Sequence, residues 1–220
     1  MVKVMTAVRR ARGTAVEAFR ERLDGDPAPD ARVPGVLRHV RSVTTPSGYR
    51  RGDPPYDAVE ELWFADEAAA RAAVASPAFA ALVDGLGVDP ASVATFLVED
   101  HLIKDGPAAP GALKNFEFVT RRPGLTPTEF RRYWREHHGP LASGIAVMRR
   151  YVQSHTVDGD YAGGEPAWEG SAITWFDDLD AMRESATDPV YAATRADEAA
   201  FLGAPLELPF IITTERVLVG

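Results

Sequence analysis

The sequence predicts an α+β protein built from two β-α-β-β-α-β repeats. The first observation behind this prediction is an internal repeat. Trp63-Phe64 recurs 112 positions later as Trp175-Phe176, and Val40-Arg41-Ser42 recurs as Val152-Gln153-Ser154. The second is that apolar runs of strand length alternate with amphipathic stretches of helix length, in the same order in both half-chains. A period of this size is too long for a solenoid unit, so we interpret the chain as a duplicated domain.

The predicted strands are apolar runs with the two-residue period of a half-buried sheet. The first strand of each repeat is predicted over 2–8 and 114–120, and Phe116 and Phe118 share one face of the latter. The other strands are predicted over 38–44, 59–64 and 93–103 in the first repeat, and over 150–157, 171–176 and 210–219 in the second. The same offset that relates these strands aligns Arg9-Arg10 with Arg121-Arg122.

The first helix of the second repeat has clear start and stop signals. Thr126 is a suitable N-cap, Pro127 occupies the first helical position, and Glu129 completes a capping box. We expect Gly139-Pro140 to end this helix, which places His138 in its last turn. One helix face is predicted to carry Phe130, Tyr133, Trp134 and His137.

A second helix is predicted in each repeat, over 66–86 and 179–201, with breaks near Pro77 and Pro189. The resulting element order is the ferredoxin-like pattern, in which two helices cover one face of a four-stranded antiparallel sheet. The third strands are apolar on both faces, as Trp63 and Phe64 illustrate. Both sheet faces therefore require cover, and packing the two sheets against each other would form an α+β barrel within one chain.

Composition narrows the range of functions. The formal charge of −8 supplies no positive field for nucleic acid or for an anionic membrane. The chain has no cysteine, which excludes disulfides and thiolate chemistry. No stretch approaches the ~20 apolar residues of a membrane span, so a soluble cytoplasmic protein is expected. The expected organisation is a first repeat over 1–105, a linker over 106–111 and a second repeat over 112–220.

Several motifs of the second half together resemble the EthD-domain family. They are Arg121-Arg122-Pro123-Gly124-Leu125-Thr126, Glu129-Phe130-Arg131-Arg132-Tyr133-Trp134-Arg135, His138-Gly139-Pro140-Leu141-Ala142, the run from Met148 to His155, and Thr174-Trp175-Phe176. The resemblance implies a dimeric α+β barrel, a fold in which most members pair as dimers of single domains. The duplication would supply that pair within one chain, and a further homodimer is also an expectation.

The two copies differ where the histidine motif lies. The second copy contains it within 133–142, whereas the matching stretch 21–30 of the first copy has Asp and Pro residues instead. The first copy is therefore interpreted as a degenerate repeat, and we expect the chemistry to lie in the second half only.

His138 is the leading candidate catalytic residue. A histidine at a helix C-terminus would have a pKa near neutrality, which suits a general acid or base. The alternative is a histidine that only caps the helix. The neighbouring His137 is expected to be a packed core residue.

Two further groups of residues complete the predicted site. Tyr151, Gln153 and His155 alternate along one strand, so they share one sheet face and could orient a substrate oxygen, or they could line a solvated edge. Tyr151 and His155 are predicted to assist His138 in catalysis. The predicted substrate-binding residues are Gln153 and the aromatic side chains of Trp134, Trp175, Phe116 and Phe118. The alternative for these rings is an ordinary aromatic core.

The sequence favours a cofactor-independent proton-transfer enzyme. Relatives of the EthD family, which the sequence resembles, include decarboxylases, dehydratases and cyclases. The resemblance therefore implies a lyase-type reaction on an aromatic or polyketide-like carbonyl substrate. The adjacent His137 and His138 are badly placed to bind one metal ion, so no metal and no cofactor are expected. A non-catalytic binding protein for a small hydrophobic aromatic ligand and a haem-associated activity are the alternatives. The polar groups of the site are expected to be few and neutral or weakly basic.

Overall fold

The computed structural model describes residues 1–25, 33–204 and 207–220. The chain divides into two compact units. The first comprises Met1–Glu99 with Glu215–Gly220, and the second comprises Asp100–Thr214. Half of the first-copy stretch 21–30 that the sequence comparison aligned with the histidine motif, positions 26–30, lies outside the described residues.

The element order of the two units is the one predicted from the sequence. The first unit contains β1 (Val2–Val8), α1 (Val16–Gly25), β2 (Arg38–Thr44), β3 (Ala58–Phe64), α2 (Glu67–Val74), α3 (Pro77–Gly85) and the start of β4 (Ala94–Lys104). The second contains β5 (Leu113–Val119), α4 (Pro127–Tyr133), α5 (Gly139–Ser143), β6 (Arg150–Thr156), β7 (Gly170–Phe176), α6 (Leu179–Ser185), α7 (Pro189–Asp197) and the start of β8 (Phe210–Val219).

The strands pair in the order β1-β3-β2-β8-β5-β7-β6-β4 and form a closed barrel. The predicted α+β barrel is confirmed. The expected breaks in the second helices are also present, because Pro77 begins α3 and Pro189 begins α7, each after a side-chain N-cap.

The predicted match between the first strands of the two copies is wrong by one residue. Lys3 pairs with Trp63 in β1 and β3, whereas Lys114 pairs with Trp175 in β5 and β7. The offset that relates the first strands of the two copies is therefore one residue shorter than the offset that relates their third strands. The second unit accordingly has one residue more between its first and second strands than the first unit has.

The predicted match between the arginine pairs is also wrong by one residue, as the equivalent contacts within each unit show. Arg10 donates to Asp53 and Asp57, and Arg121 donates to Glu165 and Glu169. Arg10 therefore corresponds to Arg121, rather than Arg9 to Arg121. Both copies retain this partly buried arginine with its two acids, which indicates a structural role in the loop region that it joins.

The first helix of the second unit differs from the prediction at its C-terminal end. Its start is as predicted, with a complete Thr126–Glu129 capping box. Gly139-Pro140 does not end it, however. The chain passes through a π-turn at Trp134–His138 and continues as α5 to Ser143. The wider π-turn accommodates Pro140, whose missing N–H and bulky ring would disrupt a regular α-turn.

Candidate active site

A cavity of about 310 Å³ lies within the second unit, between one face of its sheet and its helices. This volume is at the lower end of the ~300–1,000 Å³ that is typical of small-molecule sites. The sheet contributes Asn115, Glu117, Tyr151, Ala172, Thr174 and Phe176. The helical side includes His138, Ala142, Ile145, Met148, Met182, Tyr191, Thr194, Arg195 and Glu198.

His138 lines this cavity and is held in place by Asp197. The π-turn puts His138, rather than His137, one turn below the buried Trp134, so His138 is only 6% exposed. Its Nδ1 lies 2.9 Å from Asp197 Oδ2. A carboxylate only accepts hydrogen bonds, so Nδ1 carries the proton and Nε2 has the lone pair. Nε2 has no hydrogen-bond partner among the described residues and is the ring nitrogen free to meet a ligand.

The electrostatic surroundings favour the neutral form of His138. Burial lowers the pKa of His138 below its usual value, and the hydrogen bond to Asp197 only partly offsets this effect. The expected effect of a helix C-terminus on His138 is absent, because His138 lies in the middle of the helical segment. A neutral imidazole with a fixed tautomer is suited to accept a proton at Nε2.

His137 is exposed, which contradicts the expectation that it packs in the core. Its side chain is 64% accessible, and its ring contacts Tyr133 at a centroid distance of 4.7 Å. The physical reason is the π-turn, whose wider spacing rotates His137 away from the face that carries Phe130 and Trp134.

Tyr151 is placed to donate, but not to accept, a hydrogen bond in the cavity. Its phenolic oxygen accepts from Trp134 Nε1 at 3.2 Å and from Gln153 Nε2 at 3.1 Å. Both lone pairs are thereby used, so the phenolic hydrogen is the group left for a ligand. Burial raises the pKa of Tyr151, which keeps this hydrogen in place at neutral pH.

A hydrogen-bonded chain behind Tyr151 explains the positions of Gln153 and His155. Gln153 Nε2 also donates to the carbonyl of Trp134 at 2.8 Å, and its Oε1 lies 3.1 Å from His155 Nε2. The His155 ring stacks on Trp134 with centroids 4.5 Å apart. Gln153 and His155 are buried and do not line the cavity. They therefore act on the site through Tyr151.

The π-turn approaches this chain closely at Gly139. A Cβ on Gly139 would lie 3.0 Å from Gln153 Nε2 and 3.2 Å from a methyl group of Ile103. Glycine at this position thus lets the helix carrying His138 rest directly on β6, where Tyr151 and Gln153 are placed.

The four predicted aromatic binding residues are not brought together. Trp134 packs with Phe130 and Phe201 in the core of the helical side. Phe116, Phe118 and Trp175 alternate with cavity residues along β5 and β7, so they occupy the opposite face of the sheet. The aliphatic and aromatic side chains that line the cavity instead include Ala142, Ile145, Met148, Phe176, Met182 and Tyr191.

Sequence reasoning missed two carboxyl groups in the cavity, Glu117 and Glu198. Burial raises the pKa of both, that of Glu198 to about 8, with a further contribution to Glu198 from Glu117. Arg195 Nη1 donates to Glu198 Oε1 at 2.8 Å, while Glu198 Oε2 is buried without a partner. The expectation of few polar groups, all neutral or weakly basic, is therefore wrong. Glu117 had a detectable signal, since it alternates with Phe116 and Phe118 and must face the other side of the strand.

The corresponding positions of the first unit are filled by a buried ionic cluster. His39, Arg41 and Glu60 occupy the positions equivalent to Tyr151, Gln153 and Ala172. Glu60 accepts from Arg41 Nε and lies against His39 Nε2, both at 2.5 Å, and all three side chains are buried. The glutamate side chain occupies space that stays empty in the second unit, where the equivalent residue has only a methyl group. The two copies thus differ in the volume and chemistry of this sheet face.

Two classes of site are not found in the parts of the chain that the structure describes. Residues 1–25, 33–204 and 207–220 contain no group of three or more histidine and acidic side chains suited to a metal ion. Within the same ranges, no helix combines the length and the apolar character required to cross a membrane.

The fold defines an α+β-barrel protein, and the sequence assigns it to a family. The EthD domain model matches residues 13–90 and 122–205. The chain therefore belongs to the EthD family, and the match covers both copies, including the one without the histidine motif. No curated protein shows significant sequence similarity to the chain.

Solved structures share the fold along nearly the whole chain at low identity. An anthrone oxidase-like protein is 9% identical with a TM-score of 0.66, and the match covers 99% of this chain and 93% of that one. A putative monooxygenase from Lactobacillus acidophilus is 12% identical with a TM-score of 0.55, covering 99% and 95%. A mutant chlorite dismutase from Candidatus Nitrospira defluvii is 9% identical with a TM-score of 0.59, covering 99% and 92%. At these identities the likeness shows the fold alone.

The cavity does not suit a haem group. His138 Nε2 is chemically able to bind iron, but four pyrrole rings need more space than about 310 Å³. The carboxyl groups of Glu117 and Glu198 also line the same space, where they would face the porphyrin and its propionates.

Proposed function

We propose that the protein is a cofactor-independent proton-transfer enzyme that acts on an aromatic carbonyl compound in the cavity of the second unit. The observation that carries this proposal is the Asp197–His138 pair, whose Nε2 is free at a largely apolar cavity. A positioned imidazole of this kind contributes roughly 10²–10⁴-fold to proton-transfer rates.

The proposed reaction removes a proton from a carbon that is adjacent to the carbonyl group or conjugated with it through an aromatic ring. His138 Nε2 takes the proton, the C–H bond breaks, and its electron pair moves to the carbonyl oxygen to form an enolate. Tyr151 donates its phenolic hydrogen to that oxygen and stabilises the developing charge. Gln153 and His155 are positioning residues in this scheme, since they fix the orientation of Tyr151 without lining the cavity. Return of the proton to a different atom would complete an isomerisation, and loss of a leaving group would complete a lyase reaction.

Exchange of carbon-bound hydrogen tests the proposal without knowledge of the natural substrate. Anthrone is a flat ketone with an acidic methylene group, and one structure with this fold is described as anthrone oxidase-like. We expect the protein to accelerate deuterium incorporation at that methylene in anaerobic D₂O, as followed by proton NMR. Saturable binding of anthrone without faster exchange would favour the alternative, a binding protein. A Soret band in the purified protein would favour the haem-associated alternative.

A further inference from the structure

The chain has three lysines, and Lys104 is the one that solvent reaches. The other two, Lys3 and Lys114, are only 1% and 2% exposed. Lys104 is half-buried at the end of β4, in the same compact unit as the cavity. Of the three lysine amines, only that of Lys104 is therefore open to a reagent from solution.

The Lys104 amine is held against the wall of the cavity. Its Nζ donates to the backbone carbonyl of Ile145 at 2.7 Å. Ile145 follows α5, and its buried side chain lines the cavity. Among the residues that the structure describes, no carboxylate forms an ion pair with Lys104. The protein thus offers the charged amine a carbonyl group rather than a paired acid.

The surroundings of Lys104 favour the neutral, nucleophilic form of its amine. Burial lowers the pKa of Lys104, the charge of Arg149 lowers it further, and Asp188 opposes both effects only in part. Desolvation and a neighbouring cation are means by which proteins activate a lysine as a nucleophile. A neutral Nζ that donates one hydrogen to Ile145 retains its lone pair for attack.

We propose that Lys104 is a site of modification by activated acyl compounds, namely acyl phosphates and acyl thioesters, and that acylation loosens the cavity wall at Ile145. Nζ attacks the acyl carbon, the bond from this carbon to the phosphate oxygen or the thiol sulfur breaks, and the leaving group takes the electron pair. Nζ loses a proton to the solvent and becomes an amide nitrogen. This nitrogen is uncharged and has one hydrogen, so at most a weaker, neutral hydrogen bond to Ile145 remains. Neither step depends on the proposed function of the cavity.

Acetylation by acetyl phosphate, followed by peptide mapping with mass spectrometry, tests the modification site. At neutral pH, Lys104 of the folded protein should react at least about threefold faster than Lys104 of the same chain unfolded in guanidinium chloride, because unfolding restores an ordinary protonated amine. Lys3 and Lys114 should instead react more slowly in the folded protein, since they are buried. A parallel series with acetyl-coenzyme A distinguishes the two sources of the acyl group, and faster reaction with one donor alone identifies the source.

Two arginine variants test the activation of the amine. Arg149→Gln removes the neighbouring cation and should slow the acetylation of folded Lys104 about twofold or more. Arg132→Gln is the matched control, at an exposed position of α4 in the same unit, and should leave the rate unchanged. The proposal would be overturned if folded Lys104 reacted no faster than unfolded Lys104 with both donors, or if Arg149→Gln left the rate unchanged.

Hydrogen exchange tests the effect on the cavity wall. The amides of Gly144 and Ile145 bond back to α5 and should exchange at least about threefold faster once Lys104 is acetylated, the effect of weakening one hydrogen bond. In Lys104→Arg a charged donor remains without an acylatable amine, so acetyl phosphate should leave this exchange unchanged. Equal protection before and after acetylation of the unaltered protein would overturn the proposed loosening of the wall.

Discussion

Asp197 Oδ2 lies 2.9 Å from Nδ1 of His138, although the two residues are 59 positions apart in the sequence. Asp197 ends α7, and its other carboxylate oxygen accepts a hydrogen bond from Tyr133 at 2.6 Å. Tyr133 therefore fixes the position of the carboxylate, and the carboxylate in turn fixes the tautomer of His138. The remaining nitrogen of His138 is available to the cavity, which is the arrangement expected of a general base.

Replacing Asp197 should impair His138 without removing it. In Asp197→Asn the anionic partner is lost, so the pKa of His138 should fall further, because burial already lowers it and Asp197 opposes that effect. The rate of anthrone exchange should decrease about 10²-fold or more, as expected when the wrong tautomer is populated. NMR titration of the histidines measures the pKa. Asp180→Asn, at a highly exposed position of α6, is the control and should change neither quantity. An unchanged exchange rate in Asp197→Asn would show that the pair does not orient the base.

Removing the Tyr151 hydroxyl group should slow the reaction more than it weakens ligand binding. In Tyr151→Phe, Trp134 Nε1 and Gln153 Nε2 lose their shared acceptor, and the enolate loses its donor. We expect a decrease in kcat of about 10²-fold or more with a smaller change in KM. Tyr191→Phe is the matched control, since Tyr191 lines the same cavity from α7. Equal effects of the two substitutions would contradict a specific role for Tyr151.

The buried carboxyl group of Glu198 should make stability depend on pH. Burial raises the pKa of Glu198 to about 8 from its usual value of 4.5, so between these two values the folded chain holds a proton that the unfolded chain has lost. The free energy of unfolding should therefore decrease as pH rises through this window. Below pH 6.5, the lowered pKa of His138 acts in the opposite sense, because unfolding then takes up a proton.

Urea unfolding of Glu198→Gln at several pH values measures this contribution. The variant should lose less stability than the unaltered protein between about pH 6.5 and about pH 8, since an amide does not titrate. Glu136→Gln, at an exposed position of the same helical segment as His138, should keep the pH dependence of the unaltered protein. Parallel curves for Glu198→Gln and the unaltered protein would show that the Glu198 carboxyl group is ionised in the folded chain at neutral pH.

Local signals in the sequence predicted most of the fold. The alternation of apolar residues marked every strand, and Thr126, Glu129 and the prolines at 77 and 189 marked helix starts. The π-turn was missed because Gly139-Pro140 is the usual signal for the end of a helix. Tertiary packing of Trp134 and Gly139 against β6 allows the chain to continue instead. That single difference exposes His137, which was expected to pack in the core.

The site was predicted only in part. His138 and Tyr151 line the cavity, as the histidine motif and the strand period suggested, and Gln153 and His155 support Tyr151 from behind. Asp197 and Glu198 could not be placed beside them, because nothing local in the sequence indicates which distant helix end packs against the first helix. Nor could the sequence show which face of β5 a ligand would meet. The Phe116 and Phe118 face was favoured for its aromatic rings.

The buried cluster of the first unit should be important for stability and not for ligand binding. Glu60→Gln removes the carboxylate that contacts both Arg41 and His39, and losing one partner of a buried ion pair costs roughly 3–5 kcal/mol. Glu67→Gln breaks an exposed pair with Arg71 on α2 and should cost only ~0.3–0.5 kcal/mol. Urea unfolding measures both. A cost for Glu60→Gln as small as that of the surface control would contradict the importance of the cluster.

The most direct test of the account compares two adjacent histidines in the anthrone exchange reaction. His138→Gln removes the base at the cavity, whereas His137→Gln changes an exposed ring one residue away. The account predicts that His138→Gln lowers the enzyme-dependent exchange rate by roughly 10²–10⁴-fold with little change in Tm, while His137→Gln retains nearly the full rate. Full exchange activity in His138→Gln would contradict the assignment of His138 as the base and, with it, the proposed mechanism.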